Sequence, residues 1–340
     1  MRIIQFTHPS LGPCLGVVQK DEVENATLRD SAVTSTYAAF RKARRAGQRL
    51  ENYLKSLLAS PSRSAPLKLA DLLASSRVLA PITEEPGTRL LISGTGLTHL
   101  GSVEQRDQMH KAADPSGPQS DSRKMFELGR QGGRPEPGQR GTAPEWFYKG
   151  DGRSLRGPGQ ALEIPAFAPD GGEEPEIAGI YIVDESGIPC RLGFAQGNEW
   201  SDHVTEKMNF LYLAPSKLRT CSIGPELVTD LAFNDIHGRC RVWRGQTVIY
   251  DSGELYTGER HMSHSLANIE DHHFKYPQHR QPGDIHVHFF GTSKLSFQHR
   301  DWTYQTGDRI EVAFTGLGAP LWNPVLRQEP SASPVRVDLG

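Results

Sequence analysis

The sequence predicts a β-rich α+β protein whose main body is a barrel or a rolled, mixed sheet. Many short apolar runs rich in β-branched residues are separated by turn-forming residues, and only a few stretches have helical periodicity. The chain contains 34 Gly and 24 Pro, which is typical of a protein with many turns and long loops. With 340 residues, it can bury a large core in one large domain or two ordinary domains.

Residues 1–88 are predicted to form a small N-terminal α/β lead-in domain. The segment 1–6, a Gly-Pro turn at 12–13 and the apolar run 15–18 indicate a small β unit. Residues 34–58 carry apolar side chains at helical spacing, which predicts one amphipathic helix. The basic run at 41–45 falls on that helix and is interpreted as a solvated face.

Residues 89–327 are predicted to form the larger domain, and 328–340 a loosely held tail. The stretch ISGTGLTHLGS at 92–102 lacks the spacing of a phosphate-binding loop, so it is interpreted as a loop that brings polar side chains near a site. The region 103–145 contains a long polar segment rich in Gly and Pro. Long loops inside a compact domain are usually functional or disordered, and here a lid is favoured.

Composition excludes several classes of protein. The net charge is only -2 with both signs interspersed, which argues against nucleic-acid binding. No apolar run approaches the roughly 18 residues that a membrane span needs, and the N-terminus has no signal-peptide core. The four cysteines are scattered without a C-x-x-C motif, so reduced thiols and a cytoplasmic location are expected.

Three carboxylates stand at the ends of a predicted β-hairpin. Glu174 and Glu176 precede the β-branched run 177–183 and share one face of that strand. A turn at 184–187 and a second strand near 189–195 return Glu199 to the same end of the sheet. Three converging carboxylates need a counter-charge, which a hard divalent cation such as Mg²⁺ supplies. An E-x-E pair alone is more often a solvated face, so the prediction depends on the accompanying motifs.

Two further patterns bear on whether the chain has a zinc site or a catalytic nucleophile. His286 and His288 lie on one face of a predicted strand, as in some zinc sites, but the spacing implies no third ligand. A buried, hydrogen-bonded pair is therefore favoured. The chain has no G-x-S-x-G element and no credible nucleophilic cysteine.

The order of several motifs resembles that of the fumarylacetoacetate hydrolase superfamily. The resemblance covers roughly residues 89–325 and rests on FYKG at 147–150, GP at 157–158 with IP at 164–165, EPE at 174–176, GF at 193–194 with NEWS at 198–201, Lys217 with IGP at 223–225, and PGD at 282–284 with GTS at 291–293. It implies a mixed β-roll fold, a homodimer, and a 2-keto acid or acylpyruvate as the small-molecule substrate.

The resemblance also implies roles for individual residues. Glu174, Glu176 and Glu199 would hold the divalent metal, Mg²⁺ with Mn²⁺ or Ca²⁺ as possible substitutes. Lys217 would stand beside the metal, and Thr292 would hydrogen-bond the substrate carboxylate. Further substrate contacts are expected from the matched positions and from the predicted lid: Gly291, Lys149, Asn198 and Arg123.

The departures from the family pattern bear on the reaction. Glu199 stands where the family carries Asp, and Ser102 stands where its hydrolases carry a catalytic His. Loss of that water-activating group favours proton-transfer chemistry, and the chain resembles most the branch of 2-keto-3-deoxy sugar acid dehydratases. The expected function is elimination of water from a pentonate-like 2-keto-3-deoxy acid. A Mg²⁺-dependent acylpyruvate hydrolase and a non-catalytic binding protein are the alternatives.

The hypothesised dehydration needs a base and an acid around a metal-stabilised enolate. Lys217 is the first candidate for the base, because a nearby cation should lower its pKa. His99 is the candidate acid or relay, since its unperturbed pKa is nearest neutrality. A loop-closing hydrogen bond is the structural alternative for His99, and Ser102 would orient the leaving hydroxyl.

Overall fold

The computed structural model describes residues 1–59, 65–99, 120–329 and 334–340. Ser102 and residues 103–119 of the predicted lid lie outside the described residues. The strands are β1 (Arg2–His8), β2 (Gly12–Gln19), β3 (Glu22–Asn25), β4 (Leu67–Lys68), β5 (Leu90–Gly96), β6 (Glu145–Asp151), β7 (Leu155–Arg156), β8 (Leu162–Ile164), β9 (Pro175–Val183), β10 (Pro189–Asn198), β11 (Cys221–Ile223), β12 (Leu227–Val228), β13 (Ile236–Arg244), β14 (Thr247–Asp251), β15 (Leu255–Thr257), β16 (Ile285–Phe289), β17 (Arg309–Phe314) and β18 (Leu321–Arg327).

The helices within the described residues are α1 (Thr36–Arg45), α2 (Leu50–Leu58), α3 (Leu69–Ala74), α4 (Asp121–Gly132), α5 (His203–Met208), α6 (Leu213–Lys217) and α7 (Leu266–Phe274). Several 3-10 turns connect these elements. None of these helices combines the length and apolar character that a membrane crossing requires. The predicted β-rich α+β class is confirmed.

The strands form two sheets. The larger has the order β4-β3-β2-β1-β12-β10-β9-β16-β5-β6, with β11 paired to β10 and β7. It is mixed, because β16 runs parallel to β5 and antiparallel to β9. The smaller has the order β14-β13-β17-β18-β8, with β15 paired to β13. The N-terminal strands extend the larger sheet through the β1–β12 pairing. The division into domains near residue 88 stays a prediction.

The single helix expected at 34–58 is two helices. Ser35 caps α1 by accepting a hydrogen bond from the Ala38 amide, and the helix ends before Gly47, whose φ is +65°. That left-handed conformation is readily adopted by glycine and stops the helix. The chain then turns, and α2 packs beside α1. The apolar periodicity continues across the break, which is why it did not show the turn.

Aromatic packing between the two sheets fixes the segments on either side of the hairpin. Phe194 on β10 stacks on Phe233 with ring centroids 5.0 Å apart, and Phe290, just after β16, packs against Phe233 at 5.0 Å. Trp200 meets Tyr304 edge-to-face at 4.8 Å, and both are buried. Since Trp200 directly follows Glu199, this packing holds the C-terminal end of the hairpin in place.

A cluster of buried histidines joins β16 to α7. Trp146 Nε1 donates to His273 Nδ1 at 3.3 Å, and His273 Nε2 lies 3.0 Å from His286 Nδ1. His273 therefore carries its proton on Nε2 and donates to His286. His288 Nδ1 lies 2.8 Å from Ser93 Oγ. The expected buried and hydrogen-bonded imidazoles are present, although His286 and His288 bond to different partners.

These histidines predict a loss of stability in acid. Burial lowers the pKa of His286 and of His288 to about 3. Their folded-state pKa lies below the unfolded value, so stability is fully present above about pH 6.5 and falls as the pH drops toward 3. Each histidine is expected to remove about 1.4 kcal/mol of unfolding free energy per pH unit in that window.

The measurement is urea unfolding of the wild type and His288→Asn at about pH 7.5 and about pH 5. Asparagine can still hydrogen-bond Ser93 but does not titrate. The loss of unfolding free energy between the two pH values is expected to be about 2 kcal/mol smaller in the variant. An equal loss in both proteins would contradict the assignment.

Candidate active site

The β9–β10 hairpin brings three glutamates together at its open end. Glu174 precedes β9, Glu176 lies within it, and Glu199 follows β10. The antiparallel register pairs Asn198 with Pro175, so the two ends meet. One oxygen from each carboxylate lies within 4.8 Å of the others, and all three residues are buried. The hairpin therefore produces the convergence expected from the sequence.

Asn198 stabilises this arrangement by a side-chain contact with the backbone of Glu174. Its Oδ1 accepts a hydrogen bond from the Glu174 amide at 3.1 Å, and the Glu199 amide donates to the Glu174 carbonyl at 3.0 Å. Asn198 is buried and does not line the cavity above the carboxylates. The structure thus gives Asn198 a supporting contact with a candidate metal ligand instead of the expected contact with substrate.

Lys217, the last residue of α6, places its ammonium between two of the three carboxylates. Its Nζ donates to Glu174 Oε1 at 2.6 Å, to Glu199 Oε2 at 2.7 Å and to Ser201 Oγ at 3.0 Å. The ammonium also lies 4.8 Å from the centroid of the Phe147 ring. The side chain is buried but lines the cavity. Lys217 is therefore both a counter-charge and a group that can reach a bound molecule.

Lys149 is a second buried lysine, but it does not line the cavity. Its Nζ contacts Glu199 Oε1 at 2.8 Å, the Trp200 carbonyl at 2.5 Å and the Lys217 carbonyl at 2.9 Å. An ammonium has three donors, and these three acceptors use them all. Lys149 therefore holds Glu199 and the end of α6 in place. This differs from the expected role in substrate binding.

Glu176 has no basic partner within the described part of the chain. Its Oε2 accepts one hydrogen bond, from the Gly291 amide at 2.7 Å. Burial and the nearby charges of Glu199 and Glu174 raise the pKa of Glu176 well above its usual range. Burial also acts to raise the pKa of Glu174, but Lys217 and His203 together outweigh it and hold this pKa well below its usual range. A divalent cation bound by the three oxygens would relieve the repulsion at Glu176, so the donor set fits a hard metal ion.

The charges around Lys217 act against the expected fall in its pKa. Burial alone lowers the pKa of Lys217, but Glu174, Glu199 and Glu206 outweigh it and raise the pKa above its usual value. The fall expected from the sequence would come from a bound cation, whose charge acts in the opposite direction. The carboxylates that stabilise the ammonium are the ones that a metal ion would ligate, so ligation would remove much of the stabilisation.

The cavity beside the carboxylates has a mixed lining. Its walls include polar groups from α5 and the loop after β16, together with apolar side chains: His203, Glu206, Gln298, Leu97, Phe147 and Leu295. Polar and apolar groups around one cavity are typical of a small-molecule site.

Gly291 and Thr292 line the cavity next to Glu176. The φ of Gly291 is +99°, and a Cβ there would lie 2.5 Å from Thr98 Oγ1, so only glycine fits. The Thr292 hydroxyl donates to the Pro175 carbonyl at 3.0 Å. Both residues therefore lie where the resemblance predicted, and binding of the substrate carboxylate by Thr292 stays a prediction.

His99 lies behind Gly291 and does not line the cavity. Its Nε2 is 2.8 Å from Thr257 Oγ1, and its Nδ1 is 3.3 Å from Thr98 Oγ1. Burial lowers the pKa of His99 to about 3, so the imidazole is neutral near pH 7. These contacts fit the alternative of a loop-closing hydrogen bond better than the expected role as acid.

Arg123, a predicted substrate contact, does not line the cavity either. It lies on α4, where its guanidinium pairs with Glu127 at 3.5 Å. Ser102 lies outside the described residues, so its expected role stays a prediction.

Two of the lining residues that were not predicted from the sequence, His203 and Glu206, have titratable side chains. His203 and Glu206 lie one turn apart on α5, a helix that Asp202 caps by accepting from the Thr205 amide at 3.0 Å. His203 Nε2 lies 2.9 Å from Glu174 Oε1. His203 and Glu206 lie just beyond the NEWS motif, in the sequence DHVTE at 202–206, which contains an N-cap residue and two polar residues at helical spacing.

Several solved structures share this fold. A 2-keto-3-deoxy-D-arabinonate dehydratase complexed with magnesium and 2,5-dioxopentanoate is 17% identical, with a TM-score of 0.69 over 97% of this chain and 100% of that one. A maleylpyruvate hydrolase from Sphingobium sp. SYK-6, in complex with manganese (II) ion and pyruvate, is 16% identical, with a TM-score of 0.58 over 97% and 100%.

A 5-carboxymethyl-2-hydroxymuconate delta-isomerase from Mycobacterium smegmatis is 17% identical, with a TM-score of 0.55 over 96% of this chain and 99% of that one. No protein-family model and no curated protein matches the sequence. These structures show that the chain has the fold of the fumarylacetoacetate hydrolase superfamily, as the motif order predicted.

Proposed function

We propose that the chain is a divalent-metal-dependent hydro-lyase that removes water from a pentonate-like 2-keto-3-deoxy sugar acid. The observation that carries the proposal is the placement of three buried carboxylates and Lys217 beside one cavity. Glu174, Glu176 and Glu199 would hold Mg²⁺, with Mn²⁺ or Ca²⁺ as substitutes. The similarity to a dehydratase complexed with magnesium supports this choice.

A bound divalent cation supplies Lewis-acid polarisation of the substrate's C2 carbonyl, which makes the C3 proton more acidic. Lys217 Nζ lies beside the cavity and, in this proposal, accepts the C3 proton. The C3–H and C4–O bonds break, a C3=C4 double bond forms, and the C4 hydroxyl leaves as water after gaining a proton. Lys217 must be neutral to act as base, which requires that the surrounding carboxylates be neutralised.

In this proposal, the acid that protonates the leaving hydroxyl is a side chain of α5. His203 and Glu206 line the cavity, whereas His99 lies behind Gly291 and is held neutral by burial. The same two side chains can hydrogen-bond the hydroxyl groups of a sugar acid. The acid role is therefore moved from His99 to His203 or Glu206, and Thr292 stays the candidate for binding the substrate carboxylate.

A metal-dependent hydrolase of acylpyruvates is the second candidate. It is favoured by the similarity to a maleylpyruvate hydrolase in complex with manganese and pyruvate. His203 and Glu206 would then activate a water molecule, which the same positions beside the carboxylates permit. The homodimer and the cytoplasmic location stay predictions.

The test is to incubate the purified protein and Mg²⁺ with a panel of 2-keto-3-deoxypentonates and acylpyruvates and to identify the products by mass. The proposal predicts loss of water from one or more pentonates, and no reaction after the metal is chelated. Cleavage of an acylpyruvate into pyruvate and a second acid, without dehydration of any pentonate, would instead establish the hydrolase.

A further inference from the structure

Glu173 is a further buried carboxylate, immediately before the candidate metal ligand Glu174, and the hydrogen-bond partners of its side chain are Ser296 and Tyr304. It is 0% exposed. Its Oε1 accepts from the Ser296 amide at 2.5 Å, and its Oε2 accepts from Ser296 Oγ at 2.8 Å and from the Tyr304 hydroxyl at 2.6 Å. The Glu173 side chain thus links the segment just before β9 to the region after β16.

The segment that Glu173 holds forms one wall of the cavity. We define the 291–304 loop as the residues from Gly291 to Tyr304; Thr292, Leu295 and Gln298 in this loop line the cavity. The start of the loop is already tied to β9, because the Gly291 amide donates to Glu176 and the Thr292 hydroxyl to the Pro175 carbonyl.

Asp170 holds the end of this loop by accepting hydrogen bonds from Arg300 and from the Tyr304 amide, and the middle of the loop is attached by Glu173. The bonds of Glu173 to Ser296 and Tyr304 fix the part of the loop that carries Leu295 and Gln298. Hydrogen bonds to an ionised carboxylate are about twice as strong as neutral ones and restrict geometry more tightly. Loss of the attachment would let this wall move relative to the metal ligands while leaving those ligands unchanged.

We propose that Glu173 is a positioning residue for substrate binding: it sets the distance between the 291–304 loop and the carboxylate cluster, and so the width of the substrate cavity. This inference rests on the proposed function, because it concerns the same cavity. Glu173 touches neither the proposed metal position nor the cavity itself, so its effect would pass through the loop. Loosening this wall would weaken contacts that the bound substrate and the transition state share, which raises KM and leaves kcat nearly unchanged.

The test compares Glu173→Gln with Ser296→Ala, which removes a hydroxyl donor and leaves Glu173 in place. Glu226→Gln is the matched control, because Glu226 is another fully buried carboxylate, bonded to Arg2 and the Ala319 amide. Steady-state kinetics on the best pentonate are measured together with Mg²⁺ affinity by calorimetry and hydrogen exchange at the Ser296 amide.

For Glu173→Gln, KM is expected to rise about tenfold, equivalent to about 1.4 kcal/mol, with kcat changed less than about twofold. Mg²⁺ affinity should be unchanged, and the Ser296 amide should exchange faster. Ser296→Ala should raise KM in the same direction, and the double variant should show less than the sum of the two effects. Glu226→Gln should leave KM unchanged.

A purely structural role predicts a lower melting temperature with unchanged KM, and that result would overturn the inference. If Glu173→Gln does not fold, the KM of Ser296→Ala decides in the same way. Failure of the proposed function is a separate result: the wild type itself would then turn over no pentonate. Binding of pyruvate in the presence of Mg²⁺ then replaces KM as the readout, and an unchanged affinity for pyruvate in the variants would overturn the positioning role.

Discussion

Replacing Glu176 with glutamine is expected to weaken Mg²⁺ binding at least about 100-fold and, without metal, to raise the melting temperature. Glu176 is buried beside two like charges, and within the described residues no basic side chain pairs with it. Glutamine keeps the shape and the acceptor for the Gly291 amide but removes the repelled charge. The same change therefore weakens metal binding and stabilises the metal-free protein.

Glu174→Gln is the matched comparison, because it also removes a candidate metal ligand. Glu174 pairs with Lys217 at 2.6 Å and with His203 at 2.9 Å. Its loss leaves the buried ammonium with one carboxylate fewer, at a cost of about 2 kcal/mol. Both variants should lose Mg²⁺ affinity, but only Glu174→Gln should melt at a lower temperature without metal.

Calorimetric titration with Mg²⁺ and thermal melting in a chelator measure the two effects separately. Wild-type protein at a Mg²⁺ concentration of about 100 times the Kd should gain about 2.7 kcal/mol of stability, and Glu176→Gln should gain almost none at that concentration. Retention of wild-type Mg²⁺ affinity by Glu176→Gln would show that the three glutamates do not form the metal site.

Replacing Lys217 with methionine is expected to reduce kcat about 1,000-fold, within the range for loss of a general base. Methionine roughly matches the length of the stem but carries no charge, so the contact of the ammonium with the Phe147 ring is lost together with the ion pairs. The ammonium that competes for Glu174 and Glu199 is removed, so Mg²⁺ affinity should rise. Loss of turnover with tighter metal binding is a combination that unfolding cannot produce.

The substitution Lys217→Arg distinguishes a role of Lys217 as a positive charge from its role as a general base. Arginine can still pair with the carboxylates, but its pKa is too high to give up a proton near neutral pH. We therefore expect Lys217→Arg to be about as inactive as Lys217→Met. Activity above about a tenth of the wild type in Lys217→Arg would assign the lysine an electrostatic role only.

Much of the site could be predicted because it depends on strand geometry. The apolar run after Glu176, the turn at 184–187 and the position of Glu199 after the second strand were enough to place the three carboxylates at one end of a hairpin. The turn itself is observed, since the Asp184 amide donates to the Ile188 carbonyl at 2.9 Å. Alternation along a strand is a local property, so the sequence shows it directly.

The predicted roles that the structure does not support depend on contacts between residues far apart in the sequence. Lys149 and Asn198 match motif positions near the site. The sequence does not show that the Lys149 ammonium is fully used by Glu199 and two backbone carbonyls, or that Asn198 Oδ1 accepts from the Glu174 amide. His99 is two residues from the cavity-lining Leu97, yet its Nε2 lies 2.8 Å from Thr257 Oγ1. Burial and partner choice of this kind come from long-range contacts, which local patterns do not determine.

The pKa of Lys217 illustrates the same limit. From the sequence, only the effect of a neighbouring cation was considered, and that effect lowers the pKa. The structure adds Glu174, Glu199 and Glu206 around the ammonium, and these charges reverse the direction. Glu206 was not part of the predicted site, so its contribution could not be anticipated.

The central claim is that Lys217 removes a C3 proton from a 2-keto acid held at the carboxylate cluster. Deuterium uptake at C3 of pyruvate in D₂O, followed by NMR, tests this step alone, because pyruvate has no C4 hydroxyl to lose. The account predicts enzyme-dependent exchange that requires Mg²⁺ and is abolished in both Glu176→Gln and Lys217→Met. Exchange at the wild-type rate in Lys217→Met would contradict it.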